Sequence, residues 1–293
     1  MYSNNLIKNI SYKFFNLLPD KLFIQLKFFK NFHRLPNLKN PKTFNEKLQW
    51  LKLYDRNPYY TKLVDKYEVK KIIADIIGEE YIIPTLGVWD NAEDIDFESL
   101  PNQFVLKATH DSGRVIICKD KDKLNKEWAK KEMAKSLKRD FYALTREWPY
   151  KNVPRRIIAE AFIEDPSGDL KDYKFFCFNG KVEFFKIDFD RFVGHKANYY
   201  DLDWNIQPFE EIVCPRDVNR KHECPKNFNR MVGIAQTLSR EYPFIRVDLY
   251  NNNGVIYFGE MTFFPNSGMG RFNPNETDKK LGDLIKLPID KIQ

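Results

Sequence analysis

Residues 245–268 read IRVDLYNNNGVIYFGEMTFFPNSG, and the fold turns on them. Apolar and polar residues alternate on both arms, and NNNG between two β-rich runs predicts a hairpin. Gly254 suits the left-handed position of a three-residue loop, Asn252 to Gly254. That loop sets Asn251 against Val255, Asp248 against Phe258 and Arg246 against Glu260, because opposed residues share a face. Arg246, Asp248 and Glu260 then form a charged face, and Ile245, Val247, Leu249, Val255, Tyr257 and Met261 an apolar one. Asp248 and Glu260 become diagonal neighbours, about 7–8 Å apart. Two carboxylates so placed suit a hard cation shared with substrate phosphates. The plain alternative is a surface hairpin carrying an Arg246–Glu260 ion pair.

At 293 residues, 43% hydrophobic and 15% aromatic, the chain can bury a sizeable core. No apolar run approaches the roughly 20 residues that cross a bilayer, and the start lacks a secretory leader pattern. Four scattered cysteines, Cys118, Cys177, Cys214 and Cys224, fit a reducing cytoplasm. Cys214, His222 and Cys224 match no common zinc spacing. The net charge of +7 is uneven: residues 1–72 hold 15 Lys or Arg against 5 Asp or Glu, which leaves −3 for the remainder. No nucleic-acid motif accompanies the basic quarter, so no nucleic-acid partner is expected. PDKLFIQLKFFKNF, residues 19–32, places Leu22, Phe23, Leu26 and Phe29 at helical spacing among Lys21, Lys27 and Lys30. Such a helix either rests on anionic lipid at the inner membrane surface or docks on the domain, and its short polar face favours docking.

NPKTFNEKLQWLKLYDRNP, residues 40–58, predicts a helix capped by Thr43 with Glu46 closing a capping box, and an apolar stripe of Phe44, Leu48 and Leu51 that serves packing. YTKLVDKYEVKKIIADIIG ends at Gly78 and leads to the short apolar run YIIPTLGVW, a helix-then-strand step of α/β character. QFVLKATHDSGRVIIC, residues 103–118, predicts two strands around a small-residue turn. Lys107 at the end of the first strand is placed to meet phosphate cradled by the turn with Ser112 and Gly113, or is a solvated edge charge. In the charged helical stretch 120–148, Leu124, Trp128, Met133 and Leu137 can bury one side. RRIIAEAFIED predicts a buried strand with Glu160 awkwardly inside it. DYKFFCFNGKVEFFKIDF predicts a hairpin around Asn179-Gly180, with Asp172 and Lys174 opening its first strand. Residues 190–229 are irregular, and a helix near 226–241 leads into the hairpin first quoted.

The order VDKYEVKK, YIIPTLGVW, FVLKATHDSG, RIIAEAFIE, RVDLY and FGEMTFFPNSG resembles the ATP-grasp superfamily, and more closely its TupA-like branch, associated with bacterial surface-polysaccharide and teichuronopeptide biosynthesis. The resemblance runs from about Pro41 to Leu287, and NPKTFNEKLQWLKLYDR helps make it branch-specific. It implies an α+β fold in which two α+β subdomains clasp ATP. The chain then divides into a basic helical segment, 1–40, and a catalytic region, 41–293, made of an N-terminal α/β part (41–105) and two subdomains (106–163 and 164–293).

On this resemblance Lys66 and Lys107 contact ATP phosphates, Ser112 and Gly113 belong to the covering loop, and Glu160, Ala161, Phe162 and Ile163 form the hinge whose backbone reads adenine. Asp172 and Lys174 join the nucleotide site, Asp248 and Glu260 hold magnesium, and Arg246 steadies the transferring phosphoryl group or the acyl oxyanion. The second motif departs from the family's Glu-x-Asn: Thr262 stands at the Asn position and Asn266 follows four residues later, as the candidate ligand of a second Mg2+. The implied activity is an ATP-dependent carboxylate-amine ligation through an acyl phosphate, releasing ADP. It would join an amino acid or other amine to a carboxylate-bearing sugar, polysaccharide precursor or peptide substituent. His33, His110, His195 and His222 are scattered, and no Ser/His/Asp or Cys/His nucleophile set is visible. The competing readings are a glycosyltransferase, for which DLD at 201–203 is a weak motif and a better surface turn, and a non-catalytic glycan-binding protein.

Overall fold

A computed structural model describes residues 17–165, 170–190 and 194–289. The first 16 residues of the expected N-terminal segment thus lie outside the described residues. Helix α1 (Asp20–Phe32) is followed by α2 (Phe44–Tyr54), α3 (Tyr59–Val64) and α4 (Glu68–Ile77). The capping box forms as the sequence dictates: Thr43 accepts from the Glu46 backbone N–H, and the Glu46 side chain accepts from the Thr43 N–H. Among the described residues no helix is long and apolar enough to cross a membrane.

The first sheet comprises β1 (Thr85–Trp89), β2 (Phe104–Ala108), β3 (Val115–Cys118) and β4 (Ile157–Ala161), ordered β1-β4-β2-β3. All its pairs are antiparallel, so the helix-then-strand step into β1 builds an α+β sheet rather than a parallel βαβ unit. This sheet also joins residues on both sides of position 105. Helix α5 (Lys126–Leu137) packs Ala129 and Met133 onto Phe104, Leu106, Ile157 and Ala159, while Trp128 stays exposed. The short helix α6 (Phe141–Thr145) then leads towards β4.

The second sheet is larger. It consists of β5 (Asp172–Phe178), β6 (Lys181–Phe189), β7 (Lys196–Tyr200), β9 (Phe244–Asn252) and β10 (Val255–Thr262), ordered β10-β9-β5-β6-β7 and antiparallel throughout. β8 (Glu210–Glu211) pairs separately with β11 (Phe272–Asn273). Helix α7 (Phe228–Ser239) covers one face with Phe228, Met231, Ile234, Ala235 and Leu238. Helices α2, α3 and α4 join the same core through Phe44, Leu48, Leu63, Val69 and Ile73, and α8 (Glu276–Leu284) closes it with Leu281. The β5–β6 turn has Asn179 and Gly180 at φ 50° and 81°, the primed turn predicted.

The hairpin quoted first differs from the expected register in two places. Its turn is the two-residue Asn253-Gly254 (φ 49° and 93°), so Val255 pairs with Asn252 and not with Asn251. A bulge at Gly259 then restores the phase and sets Glu260 directly opposite Asp248 and Thr262 opposite Arg246. The consequence falls on the apolar set: Ile256 and Phe258 are buried, whereas Val255 is 49% exposed. A Cβ on Gly259 would lie 3.0 Å from the Asp248 carbonyl oxygen, so only glycine lets the bulge sit this close. Gly259→Ala is therefore expected to cost about 1–3 kcal/mol by overpacking, read as a lower denaturation midpoint with an unchanged m-value.

Candidate active site

Successive strands of the second sheet aim charge at one face. On β9, Arg246 grips Asp248 with two hydrogen bonds, Nε to Oδ1 at 2.7 Å and Nη2 to Oδ2 at 2.6 Å. The same guanidinium reaches Glu260 Oε1 at 3.2 Å and Thr262 Oγ1 at 3.1 Å. From β5, Lys174 donates to Asp248 Oδ2 (2.8 Å) and Asp172 Oδ2 (2.5 Å) and lies 3.7 Å from Asp188. Burial alone would raise the Asp248 carboxyl, but Arg246 and Lys174 overcome it and hold it at about 2. Burial would likewise lower the Lys174 ammonium, and Asp172 with Asp248 reverses the sign and raises it. Asp248 is thus an ionised carboxylate whose Oδ1, among the described residues, accepts from Arg246 alone and keeps one lone pair, and Glu260 opposite it is 45% exposed on its side chain. Both offer the hard oxygen donors that magnesium takes.

The first sheet supplies the facing cations. Glu160, awkward in the sequence, is buried on β4 between Lys107, which pairs with its Oε2, and Lys70 at 2.7 Å from its Oε1. Burial would raise its carboxyl, and those two lysines lower it instead. The Lys66 Nζ donates to the Asp111 carbonyl at 2.5 Å. Burial lowers the Lys66 ammonium, and the strongest charges acting on it are Glu260, which raises it, and Lys107, which lowers it further. Lys107 and Glu260 therefore both lie within electrostatic reach of Lys66.

Ser112 and Gly113 follow β2 in an open turn: Gly113 has φ 98°, with nothing within 4 Å of a built Cβ. Its root is fixed, since Asp111 is buried against Arg139 at 2.9 Å. His110 is buried as well, its Nε2 on the Arg139 carbonyl at 3.1 Å, rather than facing solvent. Ala161, Phe162 and Ile163 end β4 and begin the connection to the second sheet.

Asn266 makes its side-chain hydrogen bond to Glu211: its Nδ2 donates to Oε1 at 2.7 Å, and Glu211 pairs in turn with Lys186 at 3.3 Å. Asn266 and Ser267 both have left-handed backbone, with φ 48° and 56°. Helix α2 holds this unusual loop through a buried polar stripe, Asn45, Gln49 and Lys52, which the sequence reading left to an ordinary packing helix. Asn45 donates to the Gly270 carbonyl (2.8 Å), Gln49 to the Gly268 carbonyl (2.6 Å), and Lys52 Nζ to the Ser267 carbonyl (2.7 Å) and Oγ (2.8 Å). Burial brings Lys52 down to about 7, with Glu147 opposing the shift, and burial raises Glu147. Glu147 and Tyr150, both within electrostatic reach of Glu260, were also missed, because nothing in their local pattern marks them. The signal that existed was the spacing of Asn45, Gln49 and Lys52, three polar residues on one helical face.

Outside this group, Asp188, His195 and Cys214 bring one ligand atom each within 4.8 Å of one another. Lys186 Nζ, 3.3 Å from Asp188 Oδ1, already supplies the positive charge there. Cys214 is thus not grouped with His222, which meets the Tyr200 hydroxyl at 3.0 Å, or with the exposed Cys224.

The family model for TupA-like ATP-grasp proteins matches residues 46–286, and the chain belongs to that family. Among solved structures it is similar to D-alanine–D-alanine ligase from Bacillus anthracis, at 18% identity and TM-score 0.43 over 76% of this chain and 65% of that one. It is similar also to the D-cycloserine synthetase DcsG, at 14% identity and TM-score 0.42 over 80% and 72%. The ATP-grasp ligase PsnB follows at 10% identity and TM-score 0.39 over 71% and 55%. The chain spans less than two thirds of the Bacillus anthracis ligase. No curated protein matches.

Lys52 and Glu147, which act on each other electrostatically, make a direct test of how the loop at residues 265–270 is held. Lys52→Met is expected to cost about 3–5 kcal/mol because it strands buried polar partners. In the double variant with Glu147→Gln the costs should fall short of additivity by about 0.5–3 kcal/mol in urea unfolding.

Proposed function

We propose that the chain is an ATP-dependent carboxylate-amine ligase that works through an acyl phosphate and releases ADP. The observation that carries this reading is that Lys66 lies within electrostatic reach of Lys107 and of Glu260, which shares Arg246 with Asp248. Lysine ammonium groups suit a triphosphate because they neutralise charge without demanding one planar geometry. Magnesium held by Asp248 and Glu260 would neutralise the remaining charge on the phosphates. Thr262, bonded to Arg246, does not replace the family's second-motif asparagine, and Asn266 is turned to Glu211, so we assign one ion to these carboxylates and leave the second to substrate oxygens and water.

Arg246 is buried and charged, with Nη2 already shared among Asp248, Glu260 and Thr262. It is placed to meet negative charge that develops on a transferring phosphoryl group or an acyl oxyanion. Ser112 and Gly113 lie in the turn best placed to cover phosphates, with Ala161 to Ile163 offering backbone groups to the base. No protein nucleophile is required: a carboxylate oxygen attacks the γ-phosphorus and displaces ADP, and the amine then attacks the acyl carbon, loses a proton to solvent and displaces phosphate, which carries that oxygen away. Positioning and charge neutralisation then supply the rate.

The carboxylate we assign to a uronic acid or peptide substituent of a surface polysaccharide or its precursor, and the amine to an amino acid. The family's association with such polymers supports that class, and supply of ATP places the reaction in the cytoplasm. The test is oxygen transfer. Glucuronic acid and galacturonic acid labelled with 18O in the carboxylate, incubated with Mg-ATP and mixed amino acids, should yield ADP and singly labelled phosphate. AMP with pyrophosphate, or release of a nucleotide from a sugar donor instead, would contradict the reading.

A further inference from the structure

Helix α1 has two apolar faces, and only one of them is used by the fold. Phe23, Ile24 and Phe28 are buried against the domain. At about 100° per residue, Leu22, Leu26 and Phe29 gather on the opposite side, roughly 170° away, where a surface helix normally carries polar residues. They are exposed to 43%, 43% and 52%, and Leu35 just beyond the helix is 59% exposed. Single exposed leucines are ordinary, but an aligned stripe on the outermost face is not.

Charge around the stripe has one sign. Residues 17–40 hold Lys21, Lys27, Lys30, Arg34 and Lys39 against Asp20 alone. Asp20 is turned inward, bonded to Arg56 at 2.6 Å, to the Tyr142 hydroxyl at 2.7 Å and to Arg146 at 3.2 Å. The outer surface of α1 therefore presents no carboxylate, and exposed Lys21 and Lys30 flank the stripe on its two sides. Lysine stems that lie along an apolar face and lift their ammonium groups to either side fit a lipid headgroup layer.

We propose that this face of α1 docks the protein on an anionic bilayer surface, with Leu22, Leu26 and Phe29 entering the headgroup boundary and Lys21 and Lys30 meeting lipid phosphates. A second copy of the chain fits less well, because a two-fold pairing of this face would set lysine against lysine. The inference is independent of the ligase reading, since nothing in the catalytic site enters it.

The experiment uses the full chain in sedimentation with large vesicles of phosphatidylcholine alone or with three tenths phosphatidylglycerol. Binding is expected to the anionic vesicles, at least tenfold weaker to the neutral ones, and weakened by 0.5 M NaCl. Leu22→Ser/Leu26→Ser/Phe29→Ser should lose at least tenfold in partition while keeping the wild-type melting curve, and Lys21→Glu/Lys30→Glu should lose the preference for anionic lipid. Three results would overturn the proposal. One is wild-type binding that the triple variant retains. Another is no binding to either vesicle. The third is self-association in size-exclusion chromatography that the triple variant abolishes without any vesicle binding, which would give the face to a second copy.

Discussion

The contact on which the site depends is the two-pronged grip of Arg246 on Asp248, with Lys174 on the carboxylate's other side. Removing these charges from water is costly, and pairing offsets the cost only when geometry is tight. A sheet provides that geometry: Arg246 and Asp248 are two residues apart on β9, Lys174 pairs with Asp248 across to β5, and Glu260 pairs with it across to β10. The apolar sides of the same strands are filled by Phe175, Val247, Leu249 and Phe258, which anchor the charged face from behind. Ridding the cluster of charge would favour stability, so its retention points to what the first-sheet side brings to it.

That side is built by the same logic with less burial. Glu160 sits between Lys70 and Lys107, and Lys66 is fixed by the Asp111 carbonyl. Two of these lysines come from the α3–α4 region and one from β2, so the arrangement needs the helical part, the first sheet and the hairpin at once. Helix α2 extends the assembly to the loop at residues 265–270. Its polar stripe fixes a loop whose left-handed residues Asn266 and Ser267 would not hold that shape unaided.

Much of this was legible in the sequence where a local rule governed the outcome. The capping box at Thr43, the Asn179-Gly180 turn and the strands around Lys107 followed from short-range chemistry. The hairpin's charged face was also right, but in a register two steps different: the two-residue turn shifted the pairing by one residue and the Gly259 bulge by one more in the same direction, which returned the side chains to the expected face. A bulge leaves little mark in sequence beyond a glycine inside a strand. Around Asn266 the sequence showed no partner, and the left-handed backbone places its Nδ2 on Glu211, a residue 55 positions away. Glu147 carried no local mark, and Lys52 only its i, i+4, i+7 spacing with Asn45 and Gln49. Pattern reading sends polar helix residues to solvent, and only the tertiary fold reveals that a loop covers them. The outward stripe on α1 shows the reverse case, where the apolar pattern was plain but its direction was not.

The central claim is that Asp248 and Glu260 floor a magnesium-nucleotide site, and ligand-induced stabilisation tests it most directly. Melting curves would be compared with and without millimolar Mg-ATP for the wild type and for Glu260→Gln, which neutralises a half-exposed carboxylate without stranding buried charge. Nucleotide at about 100 times its Kd should stabilise the wild type by roughly 2.7 kcal/mol, with a matching rise in Tm. The account predicts that rise in the wild type and its loss or sharp reduction in a Glu260→Gln protein whose ligand-free Tm is unchanged. No rise in the wild type, or an equal rise in the variant, would contradict it.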